Sequence, residues 1–309
     1  MRRTSRIAHQ HTGPRAPHLE RTPRRPSVFV VGLGRLGTAL ARSLAEHGWQ
    51  VQAWSRTSKR RRLPGVTVRT GGAPMEVGDA KLVLLTVPDR AIGLVAADLA
   101  ARGLLRAGQV VAHCAGALDL TPLRPAAEAG AAIGSLHPLV AATAGAVHLP
   151  GKAAAIDGTA PAVRVLRRIA RTVGLKPITV PATGRARYHA AASLAANCLV
   201  ALADLSADLL ASTGVPREQA LAALLPLMHS SLENLERVGL PGALTGPVAR
   251  GDAAVVESHL SALRDLTPQL AAYRTLSERL VDIARDQGSA DVEGLARIER
   301  QLRKPVRRR

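Results

Sequence analysis

Aromatic residues and cysteines are scarce in this sequence. Of its 309 residues, 2% are aromatic and two are cysteines, whereas 47% are hydrophobic. The chain is therefore globular, with cores of alanine, leucine and valine, and its length predicts two domains. Cys114 and Cys198 cannot form a disulfide framework, and neither lies at metal-ligand spacing from a second cysteine or histidine. We predict no structural disulfide and no metal site.

Acidic residues are also scarce, because 23 of them face 42 lysines and arginines, for a formal net charge of +19. Much of the excess lies at the two ends, residues 1–26 and 301–309, which have few residues able to bury apolar area. We predict disordered basic tails there. Such tails would bind nucleic acid only nonspecifically, since the few aromatic residues are too scattered to stack on bases.

A long uninterrupted hydrophobic run is missing as well. The arginine-rich N-terminus is followed by no apolar segment, so we expect no secretory signal. The least charged stretch, residues 188–203, is interrupted by His189, Ser193 and Asn197. A buried helix explains this stretch better than a membrane span does. We expect a cytoplasmic protein that does not enter a membrane.

The hydrophobic pattern alternates between strands and helices as far as residue 180. Predicted strands are 27–31, 51–54, 66–69, 80–87, 109–113, 131–135, 153–156 and 176–180, and predicted helices are 35–47, 90–102 and 162–173. This alternation predicts an α/β Rossmann domain with a doubly wound parallel sheet over residues 27–181. Beyond it, helices predicted at 188–213, 217–238, 252–263 and 268–287 form an all-helical second domain over residues 182–300.

A glycine-rich turn follows the first predicted strand. Gly32, Gly34 and Gly37 form the pattern G-x-G-x-x-G. The three glycines allow a tight turn, close approach of a pyrophosphate and close packing of helix on strand. The next helix would direct free N–H groups at the phosphate. The pattern predicts dinucleotide binding, and a Rossmann domain that binds nothing is the alternative.

The end of the second predicted strand favours NADP(H) over NAD(H). NAD-specific enzymes place an acidic residue there, whereas this chain has Ser55 and Arg56, which suit a 2′-phosphate. The alternative is a solvated basic loop. The ends of other predicted strands meet at the same edge of the sheet, where ligands bind. Pro88 lies at one of these ends, and it could instead serve only to terminate its strand. The predicted cofactor-binding residues are Gly32, Gly34, Arg35, Leu36, Gly37, Ser55, Arg56, Val87, Pro88 and Gly116.

Four polar side chains are the candidate catalytic residues. His137 follows a predicted strand and carries an imidazole that can donate a proton near neutral pH. His189, Ser193 and Asn197 are spaced by four residues, which places them on one face of one helix. Polar groups on an apolar helix need a partner or a ligand. Backbone groups of the core could satisfy each of the four instead.

A predicted loop between helices carries the candidate substrate-binding residues, Thr245 and Arg250. A guanidinium can hold a substrate carboxylate through two parallel hydrogen bonds. Arg250 could equally pair with an acidic side chain. Asp252 is better explained as a cap of the helix that follows.

Several of these segments together resemble the Rossmann-like and DUF2520 domain family. The segments are residues 31–37 (VGLGRLG), 86–89 (TVPD), 113–117 (HCAGA), 134–139 (GSLHPL), 188–191 (YHAA) and 244–252 (LTGPVARGD). The resemblance spans residues 27 to about 284, and its most specific parts are the HP pair and the TGPVARGD segment. That family is similar to the 6-phosphogluconate dehydrogenase superfamily, which includes pyrroline-5-carboxylate reductase and ketopantoate reductase.

The resemblance implies a 6-phosphogluconate-dehydrogenase-like helical C-terminal domain that forms a homodimer. It also implies NADP-linked reduction of a small keto or imino acid in an interdomain cleft, with 2-dehydropantoate as the first candidate. One departure concerns the lysine that many hydroxyacid dehydrogenases of the superfamily carry four residues before an asparagine. Here Ser193 precedes Asn197, so either His137 or His189 would have to donate the proton, directly or through water, or the imine nitrogen of the substrate would arrive protonated. The alternative function is a non-catalytic NADP(H)-binding sensor.

Overall fold

The computed structural model describes residues 26–56, 62–72, 77–78, 80–141 and 147–304. Residues 1–25 and 305–309, which make up most of the two predicted basic tails, lie outside the described residues. The chain divides into two compact units, the first ending at His189 and the second beginning at Ala190. The predicted domain boundary near residue 181 precedes the helix within which the two units divide.

The described strands of the first unit form one eight-stranded sheet. The strands are β1 (Ser27–Val31), β2 (Gln50–Ser55), β3 (Val66–Thr70), β4 (Leu82–Leu85), β5 (Val110–His113), β6 (Ala132–Pro138), β7 (Ala153–Gly158) and β8 (Lys176–Thr179). Their order in the sheet is β3-β2-β1-β4-β5-β6-β7-β8. The chain leaves β1 toward one side and later pairs β4 on the other. The ends of β1 and β4 are therefore the switch point at which open α/β sheets bind ligands.

Helices cover both faces of this sheet. They are α1 (Arg35–Glu46), α2 (Asp89–Ala101), α3 (Arg124–Glu128) and α4 (Ala160–Thr172). Val28 and Val30 of β1 are buried in one core with side chains of α1 and α4. Phe29 and Val31, which point to the opposite face, are buried in a second core with side chains of α2 and α3. The continuous hydrophobic strands are thus explained by burial on both sides.

The predicted doubly wound sheet is present, and it departs from a wholly parallel arrangement at one pair. Strand β7 runs antiparallel to β6, whereas the other neighbouring strands are parallel. Residues 139–152 join β6 to β7 and contain no helix in their described part. A strand that returns directly in this way pairs antiparallel, because a parallel pairing needs a crossover. Helix α4 supplies such a crossover between β7 and β8.

The second half of the chain is helical, as predicted, but two of its helices were not predicted. The helices are α5 (Arg185–Ala211), α6 (Arg217–Val238), α7 (Pro247–Arg250), α8 (Ala253–Ala262), α9 (Thr267–Gln287) and α10 (Val292–Arg303). Helices α7 to α10 enclose a core that contains Val256, Val281 and Ile298. The unpredicted helices are α7 and α10. Because α10 continues to Arg303, the tail that we expected from residue 301 is helical at its start.

Helix α5 is exposed in the single chain, so the buried helix predicted for residues 188–203 is wrong. Leu194 is 66% exposed and Val200 is 70% exposed. The segment Ala182–Ala211 is long and apolar enough to cross a membrane, and 6% of its most apolar window is buried within the chain. Its apolar residues are spread around the helix and not confined to one face, so packing on one side cannot cover them.

Candidate active site

The glycine turn has the geometry that its three glycines predict. Gly32 has a φ of +101°, a conformation that favours glycine. A Cβ on Gly37 would overlap the carbonyl oxygen of Gly32 and the hydroxyl of Thr86. A Cβ on Gly34, by contrast, would meet no described atom within 4 Å. Gly32 thus makes the turn, Gly37 allows helix α1 to pack closely, and Gly34 leaves open space where a phosphate can approach.

The beginning of helix α1 can bind an anion. Gly34 is the N-cap residue, and within the described chain no side chain caps the helix and no acidic residue lies in its first turn. Arg35 and Leu36 begin that turn. Its backbone N–H groups therefore keep the capacity to donate to a phosphate, and the helix dipole favours the negative charge.

Thr86 connects the end of β4 to the glycine turn. Its backbone N–H donates to the carbonyl oxygen of Val31 at 2.9 Å, and its hydroxyl donates to that of Gly32 at 2.5 Å. Val87 also borders the turn, because its side chain would lie 3.0 Å from a Cβ on Gly32. Pro88, exposed at the end of this segment, is the N-cap residue of α2. The structure thus brings Val87 to the turn, with Pro88 next to it.

Ser55 and Arg56 lie at the end of β2, which flanks β1 on the side opposite β4. The backbone N–H of Gly32 donates to the carbonyl oxygen of Trp54 at 2.8 Å, so the end of β2 lies beside the turn. Ser55 is partly exposed and Arg56 is exposed. A hydroxyl and a guanidinium can both bind a phosphate oxygen. The residues present therefore fit a dinucleotide that carries a 2′-phosphate.

His113, at the end of β5, is a structural histidine. Its Nε2 lies 2.9 Å from the carbonyl oxygen of Asp119, and its Nδ1 accepts a hydrogen bond from the N–H of Ala115 at 3.2 Å. Both ring nitrogens are thus used to shape the loop that contains Gly116. Burial lowers the pKa of His113, although the hydrogen bond to Asp119 opposes this effect. The imidazole is neutral at pH 7.

His137 and His189 meet over Gly116. A Cβ on Gly116 would lie 2.8 Å from His137 Nε2 and 2.6 Å from His189 Nδ1. The two imidazole centroids are 6.0 Å apart. Glycine is therefore required at position 116, and the absence of a side chain there allows both imidazoles to pack on its backbone. Of the predicted catalytic residues, the structure brings these two together.

Tyr188 holds the other nitrogen of His137. Its hydroxyl oxygen lies 2.7 Å from His137 Nδ1, and the two rings meet edge to face with centroids 5.6 Å apart. Burial lowers the pKa of His137 from 6.5 to about 4, and the charges of His189, Arg185 and His113 act in the same direction. His137 is therefore a neutral imidazole at pH 7, whose Nε2 lies beside the backbone of Gly116.

Arg185 is the buried charge of this site, and it was not predicted. Its side chain is 2% exposed, and its Nη1 donates to the carbonyl oxygen of Ala115 at 3.5 Å. Its Nε lies 3.9 Å from an oxygen of Asp157. Among the described residues, its Nε and Nη2 have no hydrogen-bond partner. A guanidinium in this state creates a positive potential beneath the two imidazoles.

Ser193 and Asn197 lie further along α5, in the second unit. Ser193 is partly exposed and Asn197 is exposed, and neither forms a hydrogen bond with another described residue. Exposed polar groups can be satisfied by water, so burial does not demand a partner or a ligand at these positions. Their placement gives no support of its own to a catalytic function.

The predicted substrate-binding residues are both exposed. Thr245 precedes α7 and Arg250 ends it, so the expected loop is in part a short helix. Within the described part of the chain, Arg250 forms no ion pair with an acidic side chain. Asp252 caps α8, as predicted, by accepting a hydrogen bond from the N–H of Val255 at 3.2 Å.

Two family models match the chain, one after the other. A Rossmann-like domain matches residues 12–138, and the domain of unknown function DUF2520 matches residues 152–280. The chain thus contains a Rossmann-like domain followed by a DUF2520 domain. The glycine turn, Gly116 and His137 lie in the first match, and Arg185, Tyr188 and His189 lie in the second. Both domain matches therefore contribute side chains to the candidate active site.

Solved structures of similar proteins share the fold of this Rossmann-like and DUF2520 domain protein. One is a Bacteroides fragilis protein whose description as an NADP oxidoreductase is provisional. It is 25% identical, with a TM-score of 0.63, and the match covers 83% of this chain and 97% of that chain. A Thermotoga maritima protein is also 25% identical, with a TM-score of 0.66, and the match covers 84% and 99% of the two chains.

A structure of lower sequence identity also shares the fold, and a curated protein matches part of the chain in sequence. The pyrroline carboxylate reductase of Plasmodium falciparum, solved with NADP bound, is 13% identical, with a TM-score of 0.57 over 85% of this chain and 97% of that chain. A curated relative, the glycerol-3-phosphate dehydrogenase [NAD(P)+] of Moorella thermoacetica, is 36% identical over 110 residues. That match covers 30% of this chain and 32% of the relative, so the chain spans about a third of it.

Arg185 and Tyr188 were not among the predicted site residues. Tyr188 belongs to a segment of the family resemblance, and its position next to His189 was the available signal. Arg185 begins a helix and is followed two residues later by Arg187, and nothing in the sequence distinguishes which of the two arginines is buried. Both residues contact loops that are distant in sequence, and periodicity along one helix does not report such contacts.

Proposed function

We propose that this protein is a cytoplasmic NADPH-dependent reductase of a small keto or imino acid. The observation that carries the proposal is the placement of two features at the carboxyl edge of one sheet. These are a dinucleotide-type glycine turn after β1 and a neutral imidazole, His137, near the end of β6. Ligands of open α/β sheets bind at this edge, and a neutral imidazole there can donate a proton to a substrate oxygen or nitrogen.

The cofactor would be held by the backbone of the glycine turn and by the end of β2. The first-turn N–H groups of α1 would bind the pyrophosphate, and Ser55 and Arg56 would bind the 2′-phosphate. Val87, Pro88 and Gly116 would border the remainder of the molecule. When bound, NADPH supplies a hydride.

The residues of the chain would then bind and polarise the substrate. His137 Nε2 would donate a hydrogen bond to the reacting carbonyl or imine, and the charge of Arg185 would favour an anionic substrate. Arg250, which is exposed and unpaired among the described side chains, would bind the substrate carboxylate, with Thr245 beside it. We propose 2-dehydropantoate as the first compound to test.

We further propose that the protein is a homodimer through its helical half. Helices α5 and α6 carry exposed leucines and valines, among them Leu194, Val200 and Leu227. Large apolar side chains exposed in this number on two helices favour an interaction surface. The fold of the second half and the symmetry of most soluble oligomers favour a second copy of this chain as the partner.

The experiment that tests the function has two stages on the same purified protein. Calorimetry would first compare NADPH with NADH, and loss of nicotinamide absorbance would then be followed on adding 2-dehydropantoate or pyrroline-5-carboxylate. Tighter binding of NADPH, with oxidation that depends on the added acid, would support the reductase. Failure to bind either cofactor would overturn the proposal.

A second function, an NADP(H)-binding sensor without turnover, is favoured by one observation. Ser193 stands where many enzymes of the superfamily have a proton-handling lysine, and a serine hydroxyl cannot replace an ammonium group. Tight NADPH binding without oxidation by any small keto or imino acid would favour this sensor over the reductase.

A further inference from the structure

We propose that Tyr188 is a proton-relay residue that holds His137 as its Nε2–H tautomer and replaces the proton that His137 donates. The inference rests on the proposed reductase function and identifies the reacting group of its substrate as a neutral carbonyl.

The contacts of the Tyr188 hydroxyl offer its proton two acceptors. Its oxygen lies 2.7 Å from His137 Nδ1 and 3.4 Å from the carbonyl oxygen of His137. Because Nδ1 is the nearer of the two, the hydroxyl proton of the proposed relay is directed at Nδ1. His137 then carries its own proton on Nε2.

The Nε2–H group faces the space where a substrate would react. Nε2 would be 2.8 Å from a Cβ on Gly116, and it forms no hydrogen bond with a described residue. The two imidazoles pack directly on the backbone of Gly116, where a side chain would overlap them. His137 is nevertheless partly exposed, so a substrate carbonyl oxygen could approach the unpartnered Nε2 to hydrogen-bond distance.

Two groups near Tyr188 reduce the cost of forming a phenolate at this buried position. Burial raises the pKa of Tyr188, whereas the charge of Arg185 and a hydrogen bond with the backbone of Ala155 oppose the rise. Arg185 is itself buried, and its nearest carboxylate, that of Asp157, is 3.9 Å away. Since Asp157 does not fully compensate the guanidinium, its charge remains available to a transient negative charge on Tyr188.

The step balances in protons and electrons. Hydride adds to the carbonyl carbon, and the C=O π electrons move to oxygen, which takes the Nε2 proton of His137. Nε2 keeps the lone pair of the broken N–H bond, and Nδ1 takes the proton of the Tyr188 hydroxyl in the same step. His137 therefore stays neutral throughout. Tyr188 becomes a phenolate and recovers its proton from water.

This arrangement fits a carbonyl better than an iminium ion. Reduction of a carbonyl creates an alkoxide that must gain a proton, whereas an iminium ion already carries one. The positive potential from Arg185 also disfavours an incoming cation. A 2-keto acid, which is neutral at its reacting group and anionic at its carboxylate, meets both conditions.

The tautomer can be measured without turnover, by nitrogen NMR of protein labelled with ¹⁵N in its histidines, with His137→Gln as the assignment control. We expect His137 to be protonated on Nε2, with Nδ1 as a hydrogen-bond acceptor, and Tyr188→Phe to change the Nδ1 shift. Tyr273→Phe is the matched control, because Tyr273 contacts His259 Nδ1 at 2.9 Å in the second unit. A proton on His137 Nδ1 in the wild type would overturn the relay.

Turnover supplies the second measurement. With a 2-keto acid, Tyr188→Phe should lower kcat by about 10- to 100-fold, at or below the lower end of the range for loss of a general acid because His137 remains, with KM and NADPH affinity nearly unchanged. It should also change the solvent deuterium isotope effect on kcat, and Tyr273→Phe should change neither quantity. An unaltered kcat and isotope effect in Tyr188→Phe would overturn the proposal, as would faster reduction of a cyclic imino acid than of any keto acid.

Failure of the proposed reductase function can be distinguished from failure of the proton relay. If none of the added keto or imino acids causes the wild type to oxidise NADPH, the proposed reductase function fails. The nitrogen spectrum still decides the tautomer of His137 in that case. If the wild type turns over but Tyr188→Phe is equally active, the reductase stands and the relay fails.

Discussion

The glycine turn requires that residue 37 has no side chain. Gly37→Ala should destabilise the fold by about 1–3 kcal/mol, because its methyl group would overlap the Gly32 carbonyl oxygen and the Thr86 hydroxyl. It should also abolish NADPH binding, since the turn cannot keep its shape. Thermal denaturation and calorimetry would measure the two effects.

Gly34→Ala is the matched control for that substitution. Its φ of −67° suits alanine, and its Cβ would meet no described atom within 4 Å. We expect stability close to that of the wild type and weaker NADPH binding, because the methyl group would occupy the space that a phosphate approaches. Equal loss of stability in both variants would contradict the assignment of these glycines.

His137 should make stability depend on pH. Its pKa is lowered from 6.5 to about 4 in the folded chain, mainly by burial. The unfolded chain binds the proton more readily, so His137 contributes stability above pH 6.5 that is lost as the pH falls toward 4. His113, whose pKa is also lowered, contributes in the same direction, and Arg185, Tyr188 and His189 complete the charged or titratable groups around His137.

Urea denaturation at pH 7 and pH 4.5 would measure this dependence. The free energy of unfolding should fall less steeply with acid in His137→Gln than in the wild type, because the replacement has no proton to gain. Equal slopes for the two proteins would show that His137 titrates alike in the folded and unfolded chains.

At the scale of elements, the strands were predicted within a few residues, because a strand buried on both faces is read from a short hydrophobic run. The antiparallel placement of β7 was not predicted. It depends on how residues 139–152 return the chain, which hydrophobicity does not encode. Helix α10 lies mostly in the predicted helical domain, but no helix was predicted there, and its last residues, from 301, were assigned to a basic tail although Leu295, Ile298 and Leu302 recur at helical spacing.

The packing of α10 on α7 explains two glycines of the second unit. A Cβ on Gly294 would overlap the carbonyl oxygen of Gly251, and Gly251 itself has a φ of +73°. The RGD residues of the family segment are thus used in part to bring two helix ends together. Asp291 caps α10 at this contact by accepting a hydrogen bond from the Gly294 N–H at 2.8 Å.

Gly294→Ala should therefore destabilise the protein, by about 1–3 kcal/mol, although alanine is normally favoured over glycine in a helix. The comparison is Gly93→Ala in α2, where a Cβ would make ordinary contacts with Pro122 at 3.7 Å or more. That change should be neutral or stabilise by up to about 1 kcal/mol. Denaturant titration of both variants would test the pair, and a stabilising Gly294→Ala would contradict the close helix contact.

At the scale of the whole molecule, the exposed apolar surface of α5 and α6 requires cover. We expect a dimer by sedimentation equilibrium at micromolar concentration. Leu194→Glu combined with Val200→Glu should produce a monomer with a lower melting temperature, because both side chains would then be charged within the interface. The control is Leu94→Glu on α2, since Leu94 is 75% exposed in the first unit. A monomeric wild type, or dissociation caused equally by the control, would contradict the proposed interface.

The sequence by itself determined the glycine turn, the preference for a 2′-phosphate, the alternation of elements in the first half and the helical second half. Each depends on neighbouring residues or on a short period, and local geometry translates such patterns directly into structure. Only the tertiary structure decided that His137 and His189 meet over Gly116, that Tyr188 holds His137, and that Arg185 is buried beside them. Those contacts join residues from β5, β6 and α5, so they depend on the order of strands in the sheet, which no local pattern records.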